Sequence, residues 1–221
     1  MPALFVHDDA GRIVSVNEPD GAPAPRFYLG LSTEGQVSRF RHDVDPDVVE
    51  SLESLCRCEI DSSGPPRSPK GLDEYRSILS SVSEIEKQWM GPAYRFPATL
   101  HAPTEVVQIT EINAHLLETG FGGWLEDVSQ CQPFMAWIEE GQAVSMCCSV
   151  RINSEIHEAG VETLPEFRGH GYAAAATSAW AAAVRRVSAT PIYSTSWENT
   201  SSQAVGRRLD LILFGLDFHI T

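Results

Sequence analysis

The sequence predicts a mixed α/β fold: a small N-terminal α+β part precedes a larger part in which helices flank a mixed sheet. Three observations carry this expectation. Strand-length apolar runs follow one another between residues 105 and 164, the chain turns abruptly helical and Ala-rich after Gly171, and strand, helix and strand close the sequence. With 221 residues, 43 % hydrophobic and 21 % charged, the chain has the length and composition of one or two globular domains. That composition excludes wholesale disorder, collagen-like sequence and a coiled coil.

In order, FVHDDAGRIVSV and RFYLGLSTEGQVSRF each predict two short strands about a Gly-containing turn. Asp45-Pro46 opens a helix running to Leu55. Helical spacing of Leu72, Tyr75, Ile78, Leu79, Val82 and Ile85 predicts a second helix from Leu72 to Met90. Two Pro- and Gly-rich stretches, DSSGPPRSPKG at 61–71 and GPAYRFPATLHAP at 91–103, read as breaks. They suggest an accessory domain over 1–98 and a main domain over 99–221. There the pattern predicts a strand at 105–109, a helical stretch at 113–117, a hairpin over 133–152 turning at Glu140-Gly141, and a third strand at 156–164. GYAAAATSAWAAAVRRV is a helix with Tyr172, Ala176, Trp180, Val184 and Val187 on its apolar stripe. PIYSTSW, NTSSQAVGRRL and LILFGLDFHI then read as strand, helix and strand.

Charge narrows the function classes. Sixteen Lys and Arg stand against 30 Asp and Glu, a formal net charge of −14, so the surface repels nucleic acid and anionic lipid and attracts cations. No apolar run is long enough for a membrane span, and the first residues, MPALFVHDDAGR, lack the basic start and apolar stretch of a secretory leader. A cytoplasmic protein is expected, working as a monomer or homodimer without nucleic-acid or membrane partners. Cys56, Cys58, Cys131, Cys147 and Cys148 show no zinc spacing, nor do His101, His115, His170 and His219, so reduced thiols and no metal are expected.

The chemistry concentrates in VETLPEFRGHGYAAAA, where a strand gives way through a Gly-containing turn to a long helix. Backbone N–H groups of Arg168, Gly169, His170, Gly171, Tyr172 and Ala173 would gather at the positive end of the helix dipole, a ready anion site. The pattern is neither GKS/GKT nor GxGxxG, which disfavours a nucleoside triphosphatase and a dinucleotide dehydrogenase.

RGHGYA resembles the acetyl-coenzyme A motif of the GNAT N-acetyltransferase superfamily, in which Arg or Gln, two residues, Gly, one residue and Gly or Ala align with Arg168, Gly171 and Ala173. The preceding LPEF, the order of strands and helices after residue 103, and WENTSSQAVGRRL extend the resemblance over a little more than half the chain. It implies a GNAT-like mixed central sheet, with acetyl-coenzyme A as co-substrate, its pyrophosphate on the N–H groups of residues 169–173 and Arg168 among the coenzyme-binding residues. It further implies pantetheine along the backbone of Val161 and Thr163, with Asn199 and Ser202 beside the coenzyme.

The implied reaction is direct acetyl transfer to the amine of a small, cationic acceptor, without a covalent enzyme intermediate. An ammonium must first lose a proton. His157 and Glu158 lie where family members often place a base; alternation sets Glu158 and Glu162 on one face and His157 on the other, but bulges common in this strand leave the choice open. Two departures stand out. Gly206 occupies the position of a Tyr that often protonates the leaving thiolate, with Tyr193 and Ser196 as other candidates, and Asp210 replaces a Gly. Gly206 in place of the Tyr, together with the N-terminal domain that the resemblance does not cover, leaves a non-catalytic acyl-coenzyme A-binding regulatory module as the alternative function.

Overall fold

The computed structural model describes residues 3–59, 64–101 and 103–221. Parts of the two breaks, residues 61–63 and 102, lie outside the described residues. The strands among the described residues are β1 (Phe5–His7), β2 (Ile13–Val16), β3 (Phe27–Ser32), β4 (Gly35–Phe40), β5 (Gln88–Arg95), β6 (Val106–Ile109), β7 (Phe134–Glu139), β8 (Gln142–Ile152), β9 (Ile156–Thr163), β10 (Thr190–Ser194) and β11 (Ile212–Ile220). The helices are α1 (Pro46–Cys56), α2 (Leu72–Val82), α3 (Glu118–Phe121), α4 (Tyr172–Arg186) and α5 (Thr200–Arg208). The chain forms two compact units. One holds the described residues of Met1–Tyr94 with Ser194–Asn199 and Leu213–Thr221, the other Arg95–Tyr193 with Thr200–Ile212.

In the first unit the strand order is β4-β3-β11-β5, with β4 and β11 both antiparallel to β3. Alternation puts Phe27, Leu29, Leu31, Leu216, Phe218 and Ile220 on one sheet face, where they pack against Val49, Leu52 and Cys56 of α1 and Tyr75 and Leu79 of α2. The Asp45 carboxylate caps α1 by accepting from the Asp47 N–H at 2.8 Å. The start of α2 is held from a distance, because the buried Glu59 carboxylate accepts from the Lys70 and Gly71 N–H groups at 2.8 and 2.9 Å.

Helix α2 stops at Val82, short of the Met90 expected from apolar spacing, and residues 88–95 are strand. Ser83 is extended, at φ −156° and ψ 161°. The buried Arg26 guanidinium collects the helix end, donating to Leu79 O (3.2 Å), Ser83 Oγ (2.5 Å) and Glu84 O (3.0 Å) as well as to Thr221 O (3.4 Å). Gly91-Pro92, read in the sequence as a break, is a close-approach point within β5. The N–H groups of Thr195 and Trp197 each donate at 3.3 Å, to Pro92 O and Met90 O. A Cβ on Gly91 would run into the Thr195 carbonyl oxygen.

The second unit has the strand order β10-β9-β8-β7-β6, with β10 parallel to β9 and the others antiparallel. Helix α4 packs along β7, β8 and β9 with Ala174, Ala176, Ala179, Ala181 and Ala183 buried about Trp180, small side chains letting the helix approach the sheet. Val187, expected on this stripe, lies past the helix end and is 63 % exposed. Arg185 in the last turn donates to the carbonyls of Phe96, Pro97 and Ala98 at 3.3, 2.6 and 2.9 Å. The opposite sheet face buries Leu117, Phe121, Val128, Phe134 and Met146 in its own cluster.

Helix α5 ends with Leu211 N–H on Gly206 O (2.9 Å) and Asp210 N–H on Arg207 O (3.2 Å), which requires a left-handed residue at position 210. Asp210 adopts it at φ +51°. Opposite outcomes follow for two Gly exchanges. Gly91→Ala should lower stability in denaturant unfolding by about 3 kcal/mol or more, whereas Asp210→Gly should raise it by about 0.5 kcal/mol.

Candidate active site

Pairing of β10 with β9 covers Thr190↔Ile156, Pro191↔His157 and Ile192↔Glu158, and there it ends. Beyond it β9 continues to Thr163 with β8 as its partner. The Leu164 N–H donates to Val144 O at 3.0 Å, so alternation directs the main chain of Glu162 and Gly160 toward β8. The main chain of Val161 and Thr163 therefore points to the side that β10 has left. Two parted parallel strands present there an edge that a ligand can complete as a strand would.

Immediately after β9, Pro165–Phe167 make one 3-10 turn, Gly169 and Gly171 take φ +82° and +91°, and α4 begins. No side chain caps α4, and its first helical bond is Ala175 N–H to Gly171 O at 3.1 Å. The N–H groups of Tyr172, Ala173 and Ala174 are thus unmatched within the helix. Positive charge gathers here although the chain is acidic. Arg168 Nε donates to Thr163 O at 3.3 Å, and the Arg208 guanidinium sits 2.8 Å from where a Cβ on Gly171 would be.

Aromatic stacking fixes the helix start. The Tyr172 ring lies between Trp137 (centroids 4.8 Å apart) and His170 (5.5 Å), and His170 Nδ1 is 3.2 Å from Phe167 O. Glu139 accepts from Trp137 Nε1 at 2.8 Å. That bond, with another from the Tyr172 phenol, holds the Glu139 carboxyl below its ordinary pKa, while the same carboxylate pushes Tyr172 up. Thr163 Oγ1 lies 2.7 Å from Ser145 Oγ.

The irregularity between β8 and β9 falls at Val150 of β8, so β9 keeps its alternation and the two candidate bases face opposite ways. His157 turns toward α4. Trp180 Nε1 donates to Ser149 Oγ at 3.0 Å, and the same hydroxyl lies within hydrogen-bond distance of His157 Nδ1, 2.8 Å away. Burial lowers the His157 pKa below 6.5. Glu158, only 3 % exposed, turns to the other face and accepts from Arg151 NH1 at 2.7 Å. Four residues on and on the same face, Glu162 accepts from Trp124 Nε1 at 3.0 Å.

Val161, Thr163, Arg168, Gly169, His170, Gly171, Tyr172, Ala173 and Ser202 thus all belong to the second unit, while Asn199 belongs to the first, where its N–H donates to Ser196 Oγ at 3.1 Å. Arg151, Ser149 and Arg208 were not singled out by sequence. Strand alternation across β8 and β9 would have paired Arg151 with Glu158 only if the Val150 irregularity had been known.

Neither a protein-family model nor a curated protein sequence matches the chain. Solved structures do. A Novosphingobium aromaticivorans DSM 12444 protein assigned to the GNAT acetyltransferase family superposes with TM-score 0.53 at 15 % identity, over 71 % of this chain and 69 % of that one. A GCN5-related N-acetyltransferase-like protein of Streptococcus suis 89/1591 gives TM-score 0.53 at 14 % identity, over 90 % of this chain and 85 % of that one.

The chain has the GNAT fold. Within that fold the parted strands are β9 and β10, and the turn that follows β9 is RGHGYA.

The His157 environment has a pH consequence. Its pKa is lower folded than unfolded, so the unfolded chain binds the proton first and stability falls as pH drops through 6.5 toward the folded value. His7, lowered chiefly by burial, acts in the same sense. Melting temperature should therefore fall between about pH 7.5 and 5.5, and His157→Gln should flatten that slope.

Proposed function

We propose that this chain is a GNAT superfamily acetyltransferase that moves the acetyl group of acetyl-coenzyme A directly to an amine. The observation that carries the reading is the parting of β9 and β10 next to an uncapped, Gly-opened helix N-terminus. Coenzyme A matches this donor set. Its pyrophosphate suits the N–H groups of Gly169 to Ala173 with Arg168 and Arg208 nearby, and its pantetheine amides suit the exposed main chain of Val161 and Thr163. When bound, it supplies the activated acetyl group.

The thiols support direct transfer. Burial pushes the Cys147 thiol up, and a hydrogen bond with Cys131 together with burial raises Cys148, so neither offers a ready thiolate nucleophile. The acceptor is read as a small cationic amine approaching the β9 face that bears Glu158 and Glu162. Glu162 is exposed beside the Trp124 indole and attracts the cation, and Glu158 takes the ammonium proton. His157 Nδ1 is occupied by Ser149, which gives that residue a supporting part on the opposite face. No metal enters the scheme; backbone N–H groups polarise the thioester carbonyl. A cytoplasmic location fits the acidic, GNAT-folded chain, and no helix among the described residues is long and apolar enough to cross a membrane.

Ala173→Glu tests the site without straining the fold. A carboxylate in the first turn of α4 suits the helix dipole, so melting should be unchanged or slightly raised. The same charge faces the pyrophosphate. In calorimetric titration, acetyl-coenzyme A should bind the natural chain and bind the variant about 100-fold or more weakly; equal affinities would remove the pyrophosphate from this turn.

A further inference from the structure

Pantetheine on the β9 edge and pyrophosphate on the turn before α4 leave the adenosine end of coenzyme A to be placed. One ribose separates the pyrophosphate from the adenine base, so the base falls close to the turn itself. A purine presents a flat π-face that stacks on aromatic rings and on imidazole, whatever its hydrogen-bonding edge meets. The rings of the second unit narrow the choice. Trp180 is fully buried against Ser149, and Trp124 donates to Glu162 on the carboxylate-bearing face of β9.

Beside the turn stands a column of three rings. Trp137 of β7 and Tyr172 of α4 stack with centroids 4.8 Å apart and planes 20° from parallel, and His170 continues the column beyond Tyr172 at 5.5 Å and 16°. One carboxylate pins the inner two rings, since Glu139 accepts from Trp137 Nε1 at 2.8 Å and from the Tyr172 phenol. The outer ring is held as well, with His170 Nδ1 3.2 Å from Phe167 O. The imidazole is exposed, Tyr172 covers one of its faces, and no other ring among the described residues stacks on the second. A column that ends on a fixed, exposed ring accepts a further flat ring at little ordering cost. His170 stands between Gly169 and Gly171, so the stacking face and the backbone donors read as holding phosphate belong to one stretch of chain.

We propose that the adenine of coenzyme A stacks on the outer face of the His170 imidazole, as the fourth ring of this column. This rests on the coenzyme A reading above. It gives His170 a part in choosing the acyl donor. A thioester carried by the whole nucleotide gains the stacking contact, whereas a thioester of phosphopantetheine alone does not.

Proton NMR of coenzyme A titrated into the natural chain reads the contact directly. The two adenine ring protons should move upfield on binding, as the ring currents of the column reach them; His170→Ala should remove most of that shift, and His170→Phe, which keeps a ring, should restore it. In calorimetric titration His170→Ala should bind coenzyme A about tenfold more weakly than the natural chain and 4′-phosphopantetheine within about twofold of it. Adenine protons left unshifted in the bound coenzyme, or a His170→Ala variant that weakens both ligands alike or neither, overturns the proposal and leaves the coenzyme A reading standing. If His170→Ala does not fold, the adenine shifts on the natural chain decide alone. Absence of coenzyme A binding to the natural chain overturns the underlying reading and the proposal together, so the two failures differ.

Discussion

The structure depends on β10 leaving β9 after Ile192↔Glu158. A parallel pair continued to Thr163 would consume the outward main-chain groups of Val161 and Thr163 and close the approach to the start of α4. Because the strands part, the main chain of β9 is left as an edge that a ligand can complete. Gly171, at φ +91°, then lets α4 begin at once, so strand edge and helix N-terminus lie within ten residues of one another in the chain.

The surrounding features hold that arrangement. Alanines on α4 bring the helix against β7 to β9, the Trp137–Tyr172–His170 stack fixes its first turn, and Arg185 anchors its last turn to the 96–98 carbonyls. Across β9 the alternation separates two environments. His157 and Ser149 form a buried hydrogen-bonded pair beside Trp180, while Glu158 with Arg151 and Glu162 with Trp124 give the other face its carboxylates. The fold is shared with structures at only 14 and 15 % identity, so what recurs is backbone geometry.

Local signals made much of this legible in the sequence. The β7–β8 hairpin announces itself by Glu140-Gly141, α1 by Asp45-Pro46, and α4 by Ala spacing after RGHG. Long-range pairing hid the rest. Apolar spacing carried α2 past Val82 because Ile85 and Met90 do pack against the same core cluster, Ile85 from the segment before β5 and Met90 from β5 itself. Gly91-Pro92 looks like a break until Thr195 and Trp197 are seen bonding across it. Within the site, the Gly-containing turn before α4 was readable because it is contiguous, whereas Arg151 beside Glu158 depends on the Val150 irregularity and Arg208 beside Gly171 on the end of another helix.

The central claim, that the parted strand edge and the α4 turn together hold coenzyme A, is tested most directly by backbone amide NMR during a coenzyme A titration. The account predicts that the largest shifts fall on the amides of Val161, Thr163 and Gly169 to Ala173, moving together at one affinity. Saturable shifts confined to other residues, or none at all, would contradict it.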